Sequence, residues 1–204
     1  MPGRNTRKLF VADHFYHIYN RGWNLSEIFL EPADYKYFEG LLQRHLSLEP
    51  VIDVHGREYA HMRDNIELNA YCLMPNHFHM LVYQRTDDAA TKLMSSVMTA
   101  YTMYFNRKYK RRGPLYESRF KAVIILYDEQ LMHITRYIHL NKADYKTWQW
   151  SSYKDYLNSE PRDWVATQPI LELFPSKKAY GEFVDDYAEL QRERDNIKRE
   201  LADG

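Results

Sequence analysis

Apolar and polar positions switch between two periods along the chain, and the switches divide it into elements. Residues His14 to Tyr19 (HFYHIY) are aromatic and β-branched and run into Asn20-Arg21-Gly22, the pattern of a first strand ending in a turn. After Pro32, which suits a first helical turn, Ala33 to Leu46 places Tyr37, Phe38, Leu41, Leu42 and His45 at helical spacing. From Glu49 to Asn65 the pattern dissolves into a loop or hairpin containing Pro50 and Gly56. Ile66 to Leu73 and His77 to Tyr83 read as an antiparallel pair of strands joined by Met74-Pro75-Asn76. Asp87 to Lys110 is a long helix with Leu93, Val97, Ala100, Tyr101, Tyr104 and Phe105 as its apolar stripe. Gly113-Pro114 breaks it, Phe120 to Leu126 reads as a strand, and Asp128 is placed to cap a helix from Glu129 to about Asn141. An irregular stretch with Trp148, Trp150 and Trp164 follows, then a charged helical segment from Lys177 to Leu201.

The order β, α, β, β, α, β, α is that of an α+β ferredoxin-like or RRM-like antiparallel sheet with helices packed on one face. That arrangement leaves the other face available. With 204 residues the chain suits one domain with a small appendage, divided as a catalytic unit over residues 1–160 and a helical extension over 161–204.

Composition narrows the classes of function. Lys plus Arg and Asp plus Glu number 28 each, so no net field advertises nucleic acid or membrane, and such a partner must be met by a local patch. A single cysteine, Cys72, excludes a disulfide framework and a thiolate zinc site. Met1 to Val11 carries Arg4, Arg7 and Lys8 but no apolar run of signal-peptide length, and no stretch approaches a membrane span, which points to a cytoplasmic protein with no membrane partner. The neutral total hides unlike ends. Arg107, Lys108, Lys110, Arg111, Arg112, Arg119 and Lys121 face Glu117 alone, whereas Glu182, Asp185, Asp186, Glu189, Glu193, Asp195, Glu200 and Asp203 make the tail acidic. Tyr109, Tyr116 and Phe120 interleave with the cations, a pairing suited to unpaired nucleic acid, whose phosphates meet Lys and Arg while its bases stack. A solvated basic surface gives the same pattern.

The sharpest chemical signal is His77-Phe78-His79. In a strand, His77, His79, Leu81 and Tyr83 share one face while Phe78, Met80 and Val82 share the core face. Two imidazoles about 7 Å apart along a strand can converge on one divalent cation and leave positions for substrate; they also read as two exposed strand histidines. In the third helix Leu131, Ile134, Thr135 and Ile138 form a packing stripe, and His133, Tyr137 and Asn141 follow one another at i, i+4 and i+8 beside it. The hydroxyl and the amide can overhang the sheet edge near the histidines, or simply belong to an amphipathic helix.

Three motifs in order carry a resemblance: Asn76-His77-Phe78-His79, Gly113-Pro114-Leu115-Tyr116-Glu117-Ser118-Arg119-Phe120-Lys121, and Arg136-Tyr137-Ile138-His139-Leu140-Asn141-Lys142. Together with Tyr16 to Gly22 and Trp150-Ser151-Ser152-Tyr153 they resemble the single-tyrosine transposases of the histidine-hydrophobic-histidine (HUH) superfamily, and within it the REP-associated tyrosine transposases, over about residues 14 to 155. The resemblance implies a DNA transposase and nickase that cleaves and rejoins single-stranded, hairpin-containing DNA. Tyr137 would be the nucleophile, forming a 5′-phosphotyrosine, and His77, His79 and Asn141 would hold Mg²⁺ or Mn²⁺. The basic stretch from Arg107 to Lys121 would meet the DNA. Relatives of this kind include monomers and homodimers that exchange the tyrosine helix. Lys142 stands where the REP-associated branch commonly has proline after the asparagine, which keeps His133 and His139 open as alternatives to Asn141; His139, about 200° around the helix from Tyr137, is the poorer.

Two other readings compete. One is a relative that binds hairpin DNA or RNA without cleaving it. The other is a metal-dependent hydrolase of small phosphoesters, disfavoured because no carboxylate cluster accompanies the histidines.

Overall fold

A computed structural model describes residues 10–158 and 160–202, with side chains as far as residue 189. The basic residues before Phe10 and the acidic residues from Glu193 onward, noted in the sequence, lie outside the described residues and side chains.

Strands β1 (His14–Arg21), β2 (Ile66–Met74), β3 (His77–Gln84) and β4 (Lys121–Ile125) form one antiparallel sheet in the order β2-β3-β1-β4. Helices α1 (Pro32–Leu46) and α2 (Ala89–Lys108) cover one face, as the ferredoxin-like reading requires. Alternation decides what they cover: Tyr16 and Ile18 of β1, Leu68 of β2, and Phe78, Met80 and Val82 of β3 join Phe38, Leu42, Leu93, Val97 and Tyr101 in the larger core. Pro32 opens α1, and the Glu31 and Asp34 side chains cap its first turn reciprocally.

The chain after β4 crosses to the opposite face. Helix α3 (Asp128–His139) lies on β2 and β3 there, its Leu131 and Ile138 packed with Ala70, Cys72 and Leu81 in a second, smaller core. Asp128 is the first helical residue of α3 rather than its cap: Tyr127, in extended conformation, holds that position without a side-chain hydrogen bond, and the Gln130 side chain turns back to accept from the Leu126 N–H. The second core is closed by α4 (Tyr153–Leu157), α5 (Gln168–Leu171) and α6 (Lys177–Ala202), which contribute Tyr156, Ile170, Tyr180, Val184 and Ala188. Among the described residues no helix is long and apolar enough to cross a membrane.

The tryptophan-containing stretch covers the outer edge of β2. Leu73 N–H donates to the Trp150 carbonyl, Ser152 N–H to Tyr71 and Ala166 N–H to Leu68, so the edge strand's free backbone groups are satisfied. Trp150 then stacks on Tyr35 of α1, with ring centroids 4.9 Å apart. The stretch before β2 makes only a small antiparallel bridge between Ile52 and Glu58.

Candidate active site

The strand register assembles the site. Antiparallel partners put Tyr19 opposite His79, Arg21 opposite His77 and Lys121 opposite Tyr19, so these side chains share the face that α3 approaches. Gly22, just past β1, donates its N–H to the Asn76 carbonyl in the β2–β3 turn; a Cβ there would meet the Ser26 carbonyl oxygen at 2.0 Å. Glycine is therefore needed where the end of β1 closes on the histidine turn.

Each histidine of the pair has its Nδ1 engaged. His77 Nδ1 lies 2.6 Å from Asn76 Oδ1, an acceptor only, so this nitrogen carries the proton and the lone pair is on Nε2. His79 Nδ1 lies 2.9 Å from His17 Nε2. When His79 donates across that contact, its lone pair is on Nε2 as well. Such support of the non-ligating nitrogen orients a metal-binding imidazole. Burial lowers the His77 pKa and brings His79 down to about 3, with the neighbouring His17 and His77 adding to the effect on His79; burial takes His17 to about 4. All three rings are thus neutral at physiological pH, the protonation state a metal ligand requires.

From α3, Tyr137 places its ring edge-on to His79 and to His17, with centroids 5.3 and 6.0 Å apart. The residue is 48% exposed and is not part of the second core. One turn on, the Asn141 amide nitrogen donates to the Tyr137 carbonyl at 2.9 Å, and its side chain is also hydrogen-bonded to His77. That contact brings the Asn141 amide to the histidine pair, where its oxygen is the atom able to bind a cation. Two imidazole lone pairs and an amide oxygen make a neutral donor set that fits a small divalent cation whose other positions go to water or phosphate. Among the described residues no three His, Cys, Asp or Glu side chains converge on a common point, so the set relies on the asparagine.

The two alternative histidines are turned away. His133 bonds Arg136 at 2.8 Å and lies beside Phe183 of α6. His139 is fully buried, with Nδ1 against the Tyr180 hydroxyl and Nε2 against Ser152 Oγ. Neither has a nitrogen directed at the His77–His79 pair: His133 turns to Arg136, and His139 points into the second core.

The basic stretch does not form one patch. Helix α2 lies on the far side of the sheet, so Arg107 and Lys108 end a helix opposite the histidines. Lys108 is committed there, its ammonium 2.6 Å from both Asp34 and Glu31. Arg111 lies over Phe105, while Lys110, Arg112 and Arg119 are exposed on the connection back to β4. Lys121 alone of the seven stands on the histidine face, its ammonium 5.7 Å from the centre of the Tyr19 ring. Arg21 joins it there, paired with Glu117 at 2.5 Å.

Sequence reading gave no role to His17, Tyr19 and Arg21. The signal was present: His17, Tyr19 and Arg21 alternate on one face of β1, the central strand next to β3. Tyr19 stacks on His17 and His79 with centroids 5.0 and 5.7 Å away, which makes the face an aromatic platform.

Residues 48–141 match the family described as transposase, IS200 like. No curated protein matches the chain. Among solved structures the chain is similar in fold to a REP-associated tyrosine transposase bound to a REP hairpin, with a TM-score of 0.53, 16% identity, and 80% of this chain and 92% of that one covered. A Deinococcus radiodurans protein described as a transposase aligns with a TM-score of 0.40 and 12% identity over 68% of this chain and 95% of that one.

Proposed function

We propose that the chain, whose residues 48–141 match the IS200-like transposase family, cuts and rejoins single-stranded, hairpin-bearing DNA through a 5′-phosphotyrosine on Tyr137. One observation carries the reading: an exposed phenol on α3 lies beside two supported histidines of its own chain, with an asparagine amide at the same place. The REP-hairpin complex of the similar fold favours the same kind of DNA partner. Because Tyr137 adjoins its own His79, the reading needs no second chain, and a homodimer is not required.

In this reading His77, His79 and Asn141 hold Mg²⁺ or Mn²⁺, which when bound polarises the scissile phosphate and neutralises charge developing on it. The protein supplies the rest. Tyr19 and the neighbouring imidazoles offer flat faces for unpaired bases, and Lys121 and Arg21 meet phosphates. Arg112 and Arg119, on the connection around the sheet edge, receive the flanking stem. Tyr137 Oη attacks phosphorus, the bond to the 3′-oxygen breaks, and the proton lost by the phenol is balanced by one taken up by the departing 3′-oxygen, which leaves as a hydroxyl. The ester bond energy is kept in the phosphotyrosine, so a second 3′-hydroxyl can reverse the step without ATP.

The test is to incubate labelled hairpin DNA with the protein and Mn²⁺. A denaturant-stable protein–DNA adduct is expected, absent in Tyr137→Phe and absent with chelator. Tight DNA binding without any adduct would instead assign the chain to the non-cleaving binders.

A further inference from the structure

We propose that the C-terminal helix α6 fixes the position of Tyr137 and Asn141, making Arg136 and His139, with Tyr180, Phe183 and Asp185, positioning residues for the reaction proposed above, on which this inference rests. At 100° per residue, Tyr137 lies on one flank of α3, with Asn141 just past the helix end and bonded to its carbonyl, while Arg136 and His139 point to the other. The first flank meets the histidines and the second meets α6.

The contacts on the second flank are specific. The Arg136 guanidinium lies 4.1 Å from the ring centres of both Phe183 and Tyr187. A planar cation held between two aromatic faces is constrained in direction as well as in depth. His139 is fully buried and bridges two elements: its Nδ1 is 2.5 Å from the Tyr180 hydroxyl of α6 and its Nε2 is 2.8 Å from Ser152 Oγ. One direction of hydrogen bonding leaves no donor unmatched. Tyr180 donates to Nδ1, Nε2–H donates to Ser152, and Ser152 donates to the Tyr71 carbonyl of β2 while accepting from the Tyr71 N–H. The tyrosine helix is thereby tied through one ring both to α6 and to the strand beside the histidines.

A second set of contacts lies beyond Asn141. The Tyr145 hydroxyl donates to Asp185 at 2.6 Å, and the Lys146 ammonium meets the other oxygen of the same carboxylate at 2.7 Å. Helix α6 thus grips the chain at residues 136 and 139 and again at 145 and 146, and Tyr137 and Asn141 lie within or next to that span. Neither is itself held by α6. A half-exposed nucleophile on the last turn of a helix, touching His79 and His17 by its ring alone, takes its position from the helix that carries it; displacement by about 1 Å can lower a rate about a hundredfold. The clasp supplies that fixation from behind.

The experiment uses the full chain in two parallel readouts. The first places 3-fluorotyrosine at position 137 and records the fluorine NMR line without DNA or metal; the second measures adduct formation with hairpin DNA and Mn²⁺ in the unlabelled protein. Two variants perturb the clasp away from the site: Tyr180→Phe with Phe183→Ala, and separately Asp185→Asn. A single narrow line is expected for the wild type, broadened or split in the variants. The rate of adduct formation at saturating DNA should fall about ten- to a hundredfold while the half-saturating DNA concentration stays within about twofold. An unchanged line, or a loss of DNA affinity matched by a lower Tm and restored on cooling, would overturn the proposal. If the line responds but the wild type forms no adduct, the clasp stands and strand cleavage falls.

Discussion

The two faces of the sheet are made by alternate residues of the same strands, yet they are finished in different ways. On the α1–α2 side every inward residue of β3, Phe78, Met80 and Val82, is fully buried in the larger core. On the other side only the Leu81 end is closed, beneath α3, while His17, Tyr19, His77 and His79 are left as a polar aromatic floor beside an exposed Tyr137. The first face is finished by apolar packing, and the second carries the polar groups.

That contrast is broken most severely from the apolar side. Phe78→Ala removes a fully buried ring packed against Phe38 and Tyr116 and should cost about 3–5 kcal/mol, read as a lower urea midpoint with an unchanged slope. The floor should answer differently. His17→Phe keeps a ring to stack on Tyr19 but removes the nitrogen that meets His79; Mn²⁺ affinity should drop about ten- to a hundredfold with Tm nearly unchanged. Titration of free Mn²⁺ by electron paramagnetic resonance measures it, and an unchanged affinity would reduce His17 to a stacking residue.

The helical layer carries its own titration. Burial alone would raise the Asp34 carboxyl, but the Lys108 ammonium, the Leu30 N–H and the hydroxyls of Tyr109 and Tyr104 outweigh it and hold its pKa below the ordinary carboxylate value. A depressed folded-state pKa stabilises the fold above the unfolded value, about 3.9, and that contribution is lost as pH falls through the folded one. Acid unfolding should therefore begin below about pH 4, and Asp34→Asn should be less stable at neutral pH with a flatter acid limb. The smallest effect is expected from Lys121→Ala, which should make the logarithmic salt dependence of DNA binding shallower by about one, whereas Lys108→Ala, at an ammonium already paired with Asp34 and Glu31, should leave that slope unchanged.

Much of this architecture is written in local pattern. The β2–β3 pair joined at Met74-Pro75-Asn76, the two long helices and the alternation of His77 and His79 follow from periods of 2 and 3.6 and from turn chemistry, and the structure has them within a residue or two. The i, i+4 relation of Tyr137 and Asn141 is local in the same way. Where the reading fell short, the missing information was non-local. Asp128 looked like a cap, but the end of β4 and Gln130 settled that turn. The seven cations looked continuous because they are near in sequence, yet a helix end on one side of the sheet and a strand on the other divide them.

What the sequence determined alone is therefore the inventory: which elements form, which face each strand residue takes, and which histidines, tyrosine and asparagine are at hand. Only the tertiary structure decided who meets whom. Register put His17 against His79 across 62 residues, the crossover after β4 laid α3 on the histidine face, and α6 received Arg136 and His139 from the helix's other flank. Periodicity fixes the direction of a side chain relative to its own backbone, whereas its partner is chosen by the packing of whole elements, which no local window contains.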